Sequence, residues 1–112
     1  MESLGRPGCW AHLLVCTNAR DASAGMPSCA GPGRDAAANG EAVWEALRAW
    51  VSAHGLLAKV WVTKTGCIGW CHAQGVSVAV YPEGELYRCV TVHDCAALIQ
   101  RHLQPLLARR GR

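Results

Sequence analysis

The sequence predicts a single α/β domain of order β-α-β-β-α, a four-stranded mixed sheet with two helices. Three observations predict it. Short β-branched runs alternate with two stretches of helical apolar spacing. A helix separates the first two strands, which makes them parallel, and a tight turn joins the last two, which makes them antiparallel. The length of 112 residues suits one domain, and a hydrophobic content of 51% favours a packed core over disorder.

The elements follow in order. His12-Leu-Leu-Val-Cys16 reads as a short buried strand ending on a cysteine. Thr17 to Ala38 is rich in Ala, Gly, Ser, Pro and Asp and reads as a long loop, with Cys29 inside it. Loops of this length are usually functional. A helix is expected from Asn39 to Ala53, because Val43, Trp44, Leu47, Trp50 and Val51 fall on one stripe. Asn39 can cap its start, or Asp35 if the helix begins a turn earlier, and Gly55 supplies a left-handed stop. Ala58 to Thr63 is β-branched and alternating, hence a second strand. It runs into Lys64-Thr-Gly-Cys-Ile-Gly-Trp-Cys71, a loop with two cysteines. Val76–Tyr81 and Leu86–Val90 form a hairpin across the turn Pro82-Glu-Gly-Glu85. A last helix spans His93 to Leu103, with Thr91 as cap, Pro105 beyond its end and a basic tail at 104–112. This order is the thioredoxin-like arrangement. Phe is absent and Trp occurs five times, so Trp and Leu are expected to supply the bulky packing.

Charge and hydropathy exclude several function classes. A net charge of +3 is too small for nucleic-acid binding, and Arg109, Arg110 and Arg112, with Arg101 upstream, read as a solvated end. No segment approaches the roughly 20 apolar residues that span a bilayer. The apolar stretch Trp10 to Cys16 is short and lacks a cleavage site, so a cytoplasmic location is expected.

Seven cysteines dominate the chemistry. Without a secretory signal, and with an odd count, a disulfide framework gives way to metal or redox use. Twelve residues separate Cys16 from Cys29, and three separate Cys67 from Cys71. All four stand at strand ends or in the loops that follow, so they can converge at one edge of the domain. Four thiolates suit an iron–sulfur centre. The close pair is C-x-x-x-C, not the C-x-x-C of disulfide exchange. Structural zinc sites offer a tight knuckle on each side, and here only one pair has it. The C-x₄-C-x₂-C run of plant-type ferredoxins is missing. Gly31, Gly33, Gly66 and Gly69 would let backbone amides approach sulfur. A zinc site and a thiol-redox domain stay open on spacing alone.

One resemblance narrows the choice. His12-Leu-Leu-Val-Cys16, Ser28-Cys29-Ala30, Thr65-Gly-Cys-Ile-Gly-Trp-Cys71 and Val80-Tyr-Pro-Glu-Gly84 followed by Tyr87 resemble the thioredoxin-like [2Fe–2S] ferredoxins, Shethna-type bacterial proteins among them. The resemblance runs from His12 to Leu103. It implies one [2Fe–2S] cluster held by Cys16, Cys29, Cys67 and Cys71, and a non-enzymatic electron carrier that shuttles single electrons between redox partner proteins. It also implies that a homodimer is possible. The Ala/Gly-rich stretch after Cys29 departs from the family pattern. An accessory or redox-sensing module of a larger complex is the alternative function.

The remaining residues take plainer roles. Cys89 and Cys95 are expected to be small core residues, and Cys9 an exposed thiol of the N-terminal arm. Trp70 can shield a cluster or simply pack, and His72 adds nothing to a set of four thiolates. His12, His54, His93 and His102 are scattered, and no catalytic dyad emerges.

Overall fold

A computed structural model of the chain describes residues 1–3, 8–18, 36–68 and 75–110. Four strands, β1 (Ala11–Cys16), β2 (Val60–Thr65), β3 (Val76–Tyr81) and β4 (Glu85–Val90), form one sheet in the order β2-β1-β3-β4. β1 pairs parallel with β2 and antiparallel with β3, and β3 pairs antiparallel with β4. This is the predicted mixed sheet. Most of the segment read as the first long loop lies outside the described residues. Its last three, Ala36–Ala38, form a 3-10 turn.

Helix α1 (Gly40–Ala53) begins where the sequence predicts. The Asn39 side-chain oxygen accepts from the Glu41 N–H at 2.9 Å and meets one donor that the helix cannot satisfy. Gly55, at φ 68°, ends the run, and the Leu56 N–H closes back on the Val51 carbonyl at 3.0 Å. β2 starts two residues later than expected. The Leu56 carbonyl accepts from both Lys59 and Val60, at 2.9 and 2.8 Å, which folds Leu57–Lys59 into a turn. Pairing with β1 then carries β2 on to Thr65.

Both helical segments pack on one face of the sheet. Leu13 and Val15 of β1, Val78 and Val80 of β3, and Val43, Leu47 and Val51 of α1 are fully buried together. Burying a side chain of this kind contributes about 1.5–3 kcal/mol. The core is built of Val and Leu, with no described Trp inside it. Trp10, Trp44 and Trp50 lie half-buried at its margin, where an indole can keep a polar partner: Trp44 Nε1 donates to the Val62 carbonyl at 2.9 Å. The opposite face carries His12 and Leu14, with Trp61, Tyr81 and Leu86 each 40–49% exposed.

The C-terminal helix runs further than the sequence suggests. A 3-10 turn at Val92–Asp94 leads into α2 (Cys95–Leu98), then a π-helical turn at Ile99–Leu103, a 3-10 turn at Gln104–Leu106 and α3 (Leu107–Arg110). Thr91 does cap it, donating its N–H to Asp94 Oδ2 at 2.9 Å. Pro105 sits in the first turn of a new segment, where its missing N–H leaves no bond unmade. Residues 104–110 are therefore helical and docked. Leu106 and Leu107 pack against the core, and the Arg109 guanidinium lies 4.7 Å from the Trp10 ring centre.

Candidate metal centre

The two ends of the sheet have different chemistry. At one end β1 and β2 finish together, in register from Ala11 opposite Val60 to Cys16 opposite Thr65. The ladder runs one step past Cys16: the Thr17 N–H donates to the Thr65 carbonyl at 3.0 Å and its hydroxyl to the same oxygen at 3.3 Å. Cys67 follows two residues after β2. Cys16 and the chain leading to Cys67 therefore leave the sheet at the same end, on neighbouring strands.

The two thiols differ in environment. Cys16 is fully buried, whereas Cys67 is exposed. One soft donor from the interior and one from the surface suit a group seated at the protein boundary. Cysteine sulfurs beside adjacent strand ends are the donors that an iron–sulfur centre takes. Cys29 and Cys71 lie outside the described residues, as do Gly31, Gly33, Gly69, Trp70 and His72. Among the described residues no group of three or more His, Cys, Asp or Glu is placed to hold a metal.

The surroundings of the edge are partly charged. Lys64, three residues before Cys67, pairs with Glu41 of α1 at 2.7 Å, and its ammonium stands 4.3 Å from the Trp44 ring centre. Both partners are about half exposed, so the pair adds little stability.

The other cysteines separate clearly. Cys95 is buried in the core as expected, and burial, helped by Asp94, pushes its thiol up to about 11. Cys9 is half-buried rather than exposed. Cys89 is not a core residue. Val78 pairs with Tyr87 and Val76 with Val90, so Arg88 and Cys89 together stand opposite Ser77. This is a β-bulge. Cys89 is half-buried, has a φ of 59°, and lines a cavity of about 330 Å³ with Arg88, Asp94 and Arg101.

At the far end of the sheet lies a polar cluster that sequence reasoning missed. His102, almost fully buried, approaches Glu83 Oε2 through Nδ1 at 2.8 Å and the Tyr87 hydroxyl through Nε2 at 2.7 Å. The Tyr87 hydroxyl also donates to Glu85, which pairs with Arg101 at 3.1 Å. The hydrogen bond from Tyr87, followed by the Arg101 charge, lowers the Glu85 carboxyl below its ordinary range. Burial and the Glu85 contact raise Tyr87. Alternation was the available signal: Glu85 and Tyr87 share one face of β4. His102 read as isolated because its partners are 15–19 residues away.

Known proteins resemble this chain over most of its length. A 2Fe-2S ferredoxin of Clostridium pasteurianum is 31% identical over 93 residues, covering 83% of this chain and 84% of the relative. The wild-type thioredoxin-like [2Fe-2S] ferredoxin from Aquifex aeolicus superposes with a TM-score of 0.68 at 28% identity, covering 86% of this chain and 87% of that one. A second structure of a thioredoxin-like [2Fe-2S] ferredoxin from that organism gives 0.66 at 26% identity, covering 87% and 83%. No protein-family model matches the chain.

Proposed function

This chain belongs to the thioredoxin-like [2Fe–2S] ferredoxins, and we propose that Cys16, Cys29, Cys67 and Cys71 are the four cluster ligands through which it carries single electrons. The observation that carries the reading is the shared exit of Cys16 and Cys67 from neighbouring parallel strands. The cluster supplies one-electron redox chemistry when bound. The protein's part is to hold the thiolates, exclude water from one side and leave the other open to a partner. Buried Cys16 serves the first need, and exposed Cys67 the second. With its ligands the oxidised centre carries a formal charge of about −2, so N–H donors around the sulfurs would tune its potential.

The chain acts as a carrier rather than a catalyst, and works in the cytoplasm. Its donor and acceptor are redox proteins that dock transiently. Among the described residues no helix is long and apolar enough to cross a membrane. Optical and EPR spectra before and after dithionite, with iron and sulfide analysis, test the reading. Two irons and two sulfides per chain and a reversible one-electron signal are expected. A colourless, iron-free protein after anaerobic purification would overturn it, and irreversible reduction would favour the accessory-module alternative.

A homodimer has its own support. Trp61, Tyr81 and Leu86 give the helix-free face of the sheet three exposed apolar side chains across β2, β3 and β4. Self-association through this face would bury them. Leu86→Lys should then convert a dimer to a monomer in analytical ultracentrifugation, and an unchanged sedimentation coefficient would refute that surface.

A further inference from the structure

The ligand end of the sheet contains one backbone crossing with no latitude. Gly75 stands immediately before β3, four residues past Cys71. A Cβ at Gly75 would lie 2.1 Å from the carbonyl carbon of Cys89, 2.3 Å from its Cα and 2.6 Å from its carbonyl oxygen. These are main-chain atoms, so no change of rotamer relieves the clash. The bulge explains the approach. β4 spends an extra residue opposite Ser77, and Cys89 turns into the left-handed region, which a non-glycine residue rarely adopts. Gly66, beside Cys67, is the contrast: among the described residues, its chain neighbours aside, a Cβ there would meet nothing within 4 Å.

We propose that Gly75, locked under the Cys89 bulge, is a positioning residue for the cluster. It sets the point at which the segment bearing Cys67 and Cys71 rejoins the sheet. This proposal rests on the ligand assignment above. The segment is tethered at both ends. The Thr17–Thr65 ladder fixes its start, and the Gly75–Cys89 crossing fixes its return. Any side chain at Gly75 must open the 2.1 Å approach to the 3.4–4 Å of ordinary contact. That displacement passes to the strand end, because the neighbouring Val76–Val90 pair is buried and cannot yield freely. A shifted ligand segment changes the directions and hydrogen bonding of the thiolates, the levers that set a cluster's potential and retention.

The test uses the full-length holoprotein and three variants. Gly75→Ala should keep the far-UV circular dichroism of the wild type. It should shift the EPR g-values and the reduction potential, and release iron to a chelator about 10-fold faster. Cys89→Gly is the conservative variant. It accepts the left-handed φ without strain and keeps the crossing, so it should retain the wild-type potential and release rate. Cys89→Val, β-branched and ill-suited to positive φ, should move both readings in the direction of Gly75→Ala. If Gly75→Ala does not fold, the two Cys89 variants decide. Unchanged spectra, potential and release in Gly75→Ala, or in Cys89→Val when it stands alone, would overturn the proposal. So would a Cys89→Gly variant that reproduced the shift, because the thiol would then be the agent. A wild-type protein that binds no iron would remove the ligand assignment itself. A normal wild-type cluster that is insensitive to Gly75 would remove only the positioning role.

Discussion

The two ends of the sheet are held by different means. At the end where β3 turns into β4, side chains make the connections: His102 to Glu83 and Tyr87, Tyr87 and Arg101 to Glu85, and Lys59 and Arg109 about the Trp10 ring. At the cysteine end, beside the half-exposed Lys64–Glu41 pair, stand backbone restraints: the Thr17–Thr65 ladder, the bulge at Cys89 and the glycine beneath it. The difference fits the proposed ligand assignment. A clasp of polar side chains resists opening of the C-terminal helix and tolerates partial change, because its bonds are several and separately replaceable. Thiolates that share one inorganic centre need a fixed geometry, and a backbone crossing has fewer ways to relax than a pair of side chains.

The contrast can be broken most forcefully at the two fully or nearly buried cysteines. Cys16→Ala should abolish or grossly alter the visible and EPR spectra. Cys95→Ala should leave them unchanged and cost only roughly 1 kcal/mol of stability, about the loss of one methylene-sized group. Both sites are closed to water, so burial alone predicts no difference between them. Iron content measured on both variants decides whether position at the strand end, and not burial, marks a ligand. A bleached Cys95 variant would refute the assignment.

A smaller effect is expected at the clasp. His102→Ala deletes the contacts to Glu83 and Tyr87 and leaves a pocket in the π-helical turn. The loss should be about 1–3 kcal/mol, from two hydrogen bonds worth about 0.5–1.5 kcal/mol each. Denaturant unfolding gives the magnitude, and the EPR spectrum of the folded variant should match that of the wild type. A changed spectrum would show that the two ends are coupled and that the division between them is wrong.

Much of this architecture was legible because its signals are local. Val76–Tyr81 was bounded by a glycine and a proline, and its ends agree with the sequence reading. The parallel pairing of β1 and β2 followed from the helix between them. The displaced start of β2 was not legible, because the turn at Leu57–Lys59 carries neither Gly nor Pro and depends on the buried Leu56 carbonyl. The bulge was hidden for a related reason. A left-handed position usually advertises itself with Gly or Asn, yet here β4 places Cys89 there and the telling glycine, Gly75, stands on the neighbouring chain segment. Of the four proposed ligand positions, Cys16 and Cys67 are brought to one end of the sheet, while Cys29 and Cys71 lie outside the described residues and rest on the family pattern.

The mildest test of the comparison is a pH titration of the clasp. The Tyr87 hydrogen bond, aided by Arg101, holds the Glu85 carboxyl below its ordinary value of 4.5. A depressed carboxyl contributes stability that is present above the unfolded value and lost as pH falls through the folded one. Wild type and Glu85→Gln should therefore differ most near neutral pH and converge once the medium is more acidic than the folded carboxyl. The effect is small because Glu85 is solvent-accessible and water screens it. Thermal midpoints of both proteins, taken as a difference at each pH from 7 downward, cancel any acid loss of the cluster that they share. A difference that stayed constant across this range would mean that the Tyr87–Glu85 contact does not depend on the carboxylate charge. The far end of the sheet would then be held by shape, like the cysteine end, and the contrast between the two would fail.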